Sequence, residues 1–154
     1  MIYKKFLSPI GTLTIFSSGE GICRIDFENK NSLEGFEEGN NVYIEECIHQ
    51  LDLYFKRKLK EFDLKLDLQG TDFQKAVWRE ISKIPYGKVK TYEEIAKLID
   101  KPKAGRAVGQ ALNKNPIPII IPCHRVIGKD GNLTGFGGGI EIKKFLLSLE
   151  GVKI

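Results

Sequence analysis

The hydrophobic period of this chain changes at Gln69-Gly70. Upstream, Phe62, Leu64, Leu66 and Leu68 are apolar at every second position, the repeat of a strand with one buried face. Downstream, Thr71-x-x-Gln74 and Thr91-x-x-Glu94 are capping-box patterns, each opening a helix. Strand side chains alternate faces, whereas helical ones return to a face after about 3.6 residues. Gln69-Gly70 therefore reads as a domain boundary. The expected class is α+β, with a strand-rich part over residues 1–69 and a helical part over 70–154. A chain of 154 residues suits one large domain or two small ones, and 42% apolar content is enough for a core.

In the first part, Gly11 to Phe16 alternates imperfectly and Ile22 to Phe27 forms a second strand, joined by turn chemistry at Ser17 to Gly21. Residues 28–41, rich in Asn, Glu and Gly, read as a surface loop. Ile44, Ile48, Leu51, Phe55 and Leu59 fall at helical spacing, so a helix is expected from Ile44 to about Lys58. In the second part the first helix should run to Ile84, where Pro85-Tyr86-Gly87 stops it. The next should reach Ile99, break at Lys101-Pro102, and give way to a helix from Lys103 to Asn113. Two short helices about a tight break make a helix-turn-helix candidate. Ile119 to Ile121 reads as a short apolar strand, Gly135 to Gly139 as a tight loop, and Ile140 to Glu150 as a last amphipathic helix.

Charge divides at the same place. Residues 1–69 carry 9 Lys+Arg against 12 Asp+Glu, and residues 70–154 carry 15 against 8. A basic half beside an acidic one suggests that the basic half meets a polyanion. No apolar run approaches the ~20 residues of a membrane span. Residues 1–6 lack the apolar stretch of a signal peptide, and three cysteines, an odd number, fit a reducing compartment. The expected location is the cytoplasm, or with DNA in a nucleus if the cell has one.

Pro122-Cys123-His124-Arg125-Val126 is the sequence's densest chemical signal. A thiol is a strong nucleophile only as thiolate, and a nearby imidazole is a common means of producing one. From the pair alone, a buried structural cysteine with a chance histidine neighbour stays open. Adjacent residues on an extended strand point to opposite faces, so a direct Cys123–His124 dyad would need a bend. Glu150 sits in the last turn of its helix, where an anion opposes the macrodipole, so it needs a reason beyond helix stability. The Cys and His residues show no paired metal-ligand spacing, so neither a metal nor a cofactor is expected.

The pentapeptide resembles the active-site signature of the O6-alkylguanine-DNA alkyltransferases, the methylated-DNA–protein-cysteine methyltransferases. The likeness continues through Ile84 to Lys88, Thr91 to Ala96, Pro102, Arg106 to Gly109, Asn113 to Pro118 and Gly135 to Gly151, with Ser8 to Gly11 resembling the opening of the family's first domain. It implies a ribonuclease H-like α/β N-terminal domain and a winged-helix-like C-terminal catalytic domain. It also implies a single-turnover, irreversible transfer of an alkyl group from O6 of guanine in double-stranded DNA to Cys123.

By the same resemblance His124 and Glu150 relay the thiol proton, Asn115 holds the site together, and Tyr92 donates to N3 of the flipped base. Arg106 on the recognition helix fills the space left in the stack after entry by the minor groove. Lys101 and Lys129 are phosphate neighbours by charge and position. Val126, Gly137 and Lys143 line the alkyl pocket, although Lys143 also reads as a surface charge on the last helix. A monomer with no membrane contact is implied. The rivals are a lesion-binding relative without alkyl transfer, a Cys–His hydrolase and a plain helix-turn-helix regulator.

Overall fold

The structure is a computed structural model that describes residues 1–28, 33–133, 136 and 138–153, and it divides into two compact units, Met1–Gln69 and Gly70–Ile154. In the first, β1 (Ile2–Ser8), β2 (Gly11–Ser18) and β3 (Gly21–Asp26) form an antiparallel meander, and β4 (Glu37–Glu38) adds to β1 in parallel, for a sheet order β3-β2-β1-β4. The β1–β2 turn is closed by Ser8, whose hydroxyl donates to the Gly11 carbonyl at 2.6 Å and accepts from the Ile10 N–H at 3.2 Å. Helix α1 (Val42–Phe55) starts on Asn41, whose side chain accepts from the Ile44 N–H. It packs Ile44, Cys47, Leu51, Tyr54 and Phe55 against β1, β2 and β3 over buried Leu13, Ile15, Phe16 and Ile22.

Several elements differ from expectation. Strand β1 carries Lys4-Lys5 across what would be its alternation, and β4 lies inside the segment read as loop. Helix α1 begins two residues earlier and stops at Phe55, because Arg57 turns into the left-handed region with φ 60°. Residues 62–66 alternate in burial as the pattern requires, Asp67 breaks the alternation, and among the described residues the segment makes one bridge, Leu66 with Ile22. That approach is close: a Cβ on Gly21 would lie 2.7 Å from the Lys65 carbonyl oxygen.

The second unit is built on α2 (Asp72–Ile81), α3 (Tyr92–Leu98), α4 (Gly105–Asn113) and α5 (Ile140–Leu149). Both capping boxes form, with Thr71 and Gln74 on α2 and Thr91 and Glu94 on α3. Trp78 is 2% exposed and donates its indole N–H to the Ala111 carbonyl at 2.9 Å, fastening α2 to α4. Asp100, at φ 61°, makes the turn between α3 and α4. These two helices pack together as the predicted helix-turn-helix, with Ile95, Ala96, Val108, Ala111 and Leu112 buried. A two-residue parallel pairing joins β5 (Lys90–Thr91) to β6 (Val126–Ile127).

The expected strand at 119–121 does not form. Ile119 adopts φ 74°, and the segment closes on itself through the Ile121 N–H to the Ile117 carbonyl at 2.9 Å. Pro118 and Pro122 lack the N–H groups a ladder needs, so Ile117, Ile119 and Ile121 are buried in a loop.

Candidate active site

Cys123 opens a short 3-10 turn, Cys123–Arg125, directly after that loop. The turn supplies the bend that an extended strand would have denied to the Cys-His pair. All three of its residues are buried, as are Lys143 and Glu150. A β-branched residue at positive φ is costly, by about 1–3 kcal/mol, and persists only where its surroundings impose it. At Ile119 the restraint is Asn115, which spans the loop: its amide donates to the Ile121 carbonyl at 2.8 Å and its carbonyl oxygen accepts from the Ile117 N–H at 3.0 Å.

The thiol feels opposing influences. Burial pushes Cys123 up to about 11, while hydrogen bonding from the Asn115 side chain and then the Lys143 cation pull it down. Burial likewise lowers His124 below its ordinary value, against the pull of its Glu150 partner. Both effects favour an uncharged pair at neutral pH, a thiol beside a neutral imidazole. His124 Nε2 lies 2.7 Å from Glu150 Oε2, whereas Nδ1 is buried with no partner among the described residues.

Lys143 is not a surface charge. It is 1% exposed, and its ammonium donates to the Val126 carbonyl at 2.6 Å. Desolvation without a carboxylate partner brings it down to about 8, opposed by the thiolate charge. Tyr92 is half-buried at the start of α3. Its ring would be the nearest neighbour, at 3.9 Å, of a Cβ on Gly109 of α4. Burial and then the Cys123 charge raise its phenol, which keeps it protonated and able to donate.

Asn115, Lys143 and Tyr92 thus act on the Cys123 sulfur, with Val126 joined through Lys143 and Glu150 through His124, the next residue in the chain. Arg106 on α4, Lys101 in the α3–α4 turn and Lys129 after β6 are exposed, and none makes an ion pair among the described residues. Gly105, beside Arg106, would admit a Cβ without meeting any atom within 4 Å, so its small size is not demanded by packing inside the unit. Gly137 lies outside the described residues. Among the described residues no three His, Cys, Asp or Glu side chains are grouped to hold a metal.

Two contributors escaped the reading of the sequence. Arg125 donates from Nε to Glu150 Oε1 at 2.8 Å and from Nη2 to Oε2 at 3.0 Å, with Nη1 on the Ile84 carbonyl at 2.7 Å. Gly87, at φ 78°, donates its N–H to Glu150 Oε1 at 3.2 Å. The available signal was a permanent cation inside an otherwise apolar stretch, since a buried charge requires a partner.

The DNA-binding domain of 6-O-methylguanine DNA methyltransferase matches this chain over residues 72–152, and the ribonuclease-like domain of the same proteins matches residues 1–68. A methylated-DNA–protein-cysteine methyltransferase of Methanosarcina barkeri is 50% identical over 153 residues, covering 97% of each chain. One from Mycolicibacterium paratuberculosis is 44% identical over 151 residues, covering 96% of this chain and 91% of its own. The crystal structure of Mycobacterium tuberculosis OGT in complex with DNA aligns at a TM-score of 0.92 and 45% identity, over 97% of this chain and 92% of that one. The chain belongs to the 6-O-methylguanine DNA methyltransferase family. The α+β layout, with an N-terminal sheet and a C-terminal helical part, is that of this family.

Proposed function

We propose that this chain is a methylated-DNA–protein-cysteine methyltransferase, repairing DNA by taking the alkyl group from O6 of guanine onto the sulfur of Cys123. The carbon–sulfur bond forms as the carbon–O6 bond breaks. The thiol proton goes to His124 Nδ1, directly or through one water, and guanine leaves as a base neutralised by a proton from Tyr92. The charge left on Tyr92 is made good by the proton held on His124. A thioether sulfur is a poor leaving group, so each chain acts once.

The observation that carries this reading is a buried thiol followed by a locked imidazole whose second nitrogen has no partner among the described residues. Because thiol and imidazole both rest uncharged, the proton moves as the sulfur attacks and not beforehand. Asn115 and the Lys143 cation then favour the charge that develops on sulfur. Cys123 is 7% exposed, so the alkylated base must leave the duplex to reach its sulfur.

DNA binding falls to residues 70–154, with 1–69 as support. Helix α4 enters the minor groove, and its open Gly105 face allows close approach. Arg106 fills the vacated stack, and Lys101 and Lys129 lie along the phosphates. Val126 and Lys143 border the alkyl pocket, Lys143 through the Val126 carbonyl. The chain works as a monomer in the cytoplasm, or in a nucleus where there is one, since an acceptor thiol has to stay reduced. The lesion-binding rival is disfavoured because the acceptor sulfur is present.

Incubation with duplex DNA containing O6-methylguanine should place one methyl on Cys123, at one per chain, as read by mass spectrometry. Unmodified protein after prolonged incubation would refute the assignment.

A further inference from the structure

We propose that Arg125 is the positioning residue of this relay: by holding Glu150 as a carboxylate, it keeps the His124 proton on Nε2 and reserves Nδ1 to receive the proton of Cys123. The inference deepens the alkyl-transfer reading and rests on it only in its kinetic arm.

The Glu150 side chain is fully buried, accepts three N–H groups and faces the His124 ring. Oε1 takes Arg125 Nε and the Gly87 amide; Oε2 takes Arg125 Nη2 and faces His124 Nε2. A two-point guanidinium–carboxylate contact is among the strongest charge-assisted hydrogen bonds. A carboxylate so held is an acceptor only. His124 must then donate from Nε2, and the lone pair of its neutral ring falls on Nδ1, the buried atom without a partner among the described residues. The third Arg125 nitrogen is held by the Ile84 carbonyl, and the Gly87 amide reaches Glu150 from the same turn. A Cβ on Gly87 would lie 3.0 Å from the Glu150 carbonyl oxygen, so the turn depends on glycine both for its φ and for its room.

Without Arg125 the Glu150–His124 pair would gain a proton, because a buried carboxylate that loses its cation takes one up or draws one onto its neighbour. On Glu150, that proton would be donated to Nε2 and drive the ring's own proton to Nδ1. On His124, it would leave an imidazolium with no lone pair. Either way the ring could accept nothing from the thiol. The charged and titratable groups facing His124 are Lys143 from α5 and Glu150 at its C-cap, and Arg125 and Cys123 within its own turn, with Tyr92 of α3 facing the sulfur. Lys143 would remain in an Arg125 variant, so the missing cation is the variable.

The chain has two histidines, and the other, His49, is exposed on α1, so ¹⁵N-histidine spectra can be assigned simply. The full-length wild-type chain at pH 7 should show neutral His124 protonated on Nε2. Arg125→Met should show imidazolium or Nδ1–H. It should also move the acid limb of single-turnover methyl transfer up by at least one pH unit, about a tenfold loss at a given pH on that limb, with DNA affinity unchanged. Arg125→Lys, which keeps a cation, should keep the wild-type tautomer and limb. The proposal is overturned by wild-type His124 carrying its proton on Nδ1 or charged at pH 7, or by Arg125→Met matching wild type in tautomer and limb. If Arg125→Met fails to fold, the wild-type and Arg125→Lys spectra decide. The expected tautomer in a chain that transfers no methyl would support this inference and overturn the repair reading.

Discussion

Each compact unit buries a cysteine, and the two show what separates a structural thiol from a reactive one. Cys47 sits on the inner face of α1, and burial alone pushes it up to about 12. Cys123 is as deeply placed, yet its value stays at about 11, because Asn115 and Lys143 favour the thiolate against that burial. The decisive contrast lies less in these values than in the company. Cys47 shares the buried face of α1 with Ile44, Leu51 and Tyr54, while the Asn115 amide and the Lys143 cation act on Cys123 and His124 follows it in the chain. Burial excludes water from both, but only one has polar groups arranged to handle a proton.

Cys123→Ser should show the largest effect, abolishing methyl transfer to duplex O6-methylguanine DNA while leaving DNA binding in place. Equal transfer by wild type and Cys123→Ser would erase the distinction between the cysteines. His124→Gln keeps a hydrogen-bonding side chain but removes the base. It should slow single-turnover transfer by about 10²–10⁴-fold, the usual range for general-base loss. Asn115→Ala removes both the loop clamp and a thiolate partner. Denaturant melts should record a loss of about 1–3 kcal/mol for the buried groups left unsatisfied, with transfer slowed as well.

The pH dependence sharpens the comparison further. Lys143 is charged below about 8 and neutral above it, so its help to the developing thiolate is lost as pH rises through that value. Methyl transfer should therefore decline on the alkaline side of pH 8, and Lys143→Met should remove that decline by being slow throughout. For stability the signs are separable. Cys47 and Cys123 hold protons to higher pH folded than unfolded, so above about 9 the unfolded chain binds fewer protons and stability falls with rising pH. Lys143 acts oppositely between about 8 and 10.5, where the unfolded chain binds more. The smallest effect on activity is expected for Cys47→Ala: an unchanged transfer rate, with about 1 kcal/mol lost from the α1 packing. A slowed transfer in that variant would show that the first unit does more than support.

Much of this was legible in the residues. Thr71 with Gln74 and Thr91 with Glu94 formed as capping boxes because those contacts span three residues and need nothing distant. Glu150, misplaced for its helix, indeed had another partner. The failures share a cause. Ile119 to Ile121 looks like a strand by composition, but pairing needs a neighbour with free donors, and the flanking prolines turned the segment into a loop. The alternation from Phe62 to Leu68 predicted which side chains face inward and overstated the pairing, since only Leu66 meets a partner. Lys143 read either as a pocket residue or as a surface charge, and only the Val126 carbonyl, 17 residues away, removed the second reading.

By itself, the sequence determined where the capped helices α2 and α3 begin, where the two units part, and that a cysteine and a histidine stand side by side. Local hydrogen bonds and hydrophobic period suffice for those. Which imidazole nitrogen faces a carboxylate was decided only by tertiary structure. That depends on Glu150, 26 residues beyond His124, and on the arginine and glycine amide that converge on its carboxylate. A proton's position follows the field of everything around it, and chain folding assembles that field from distant parts.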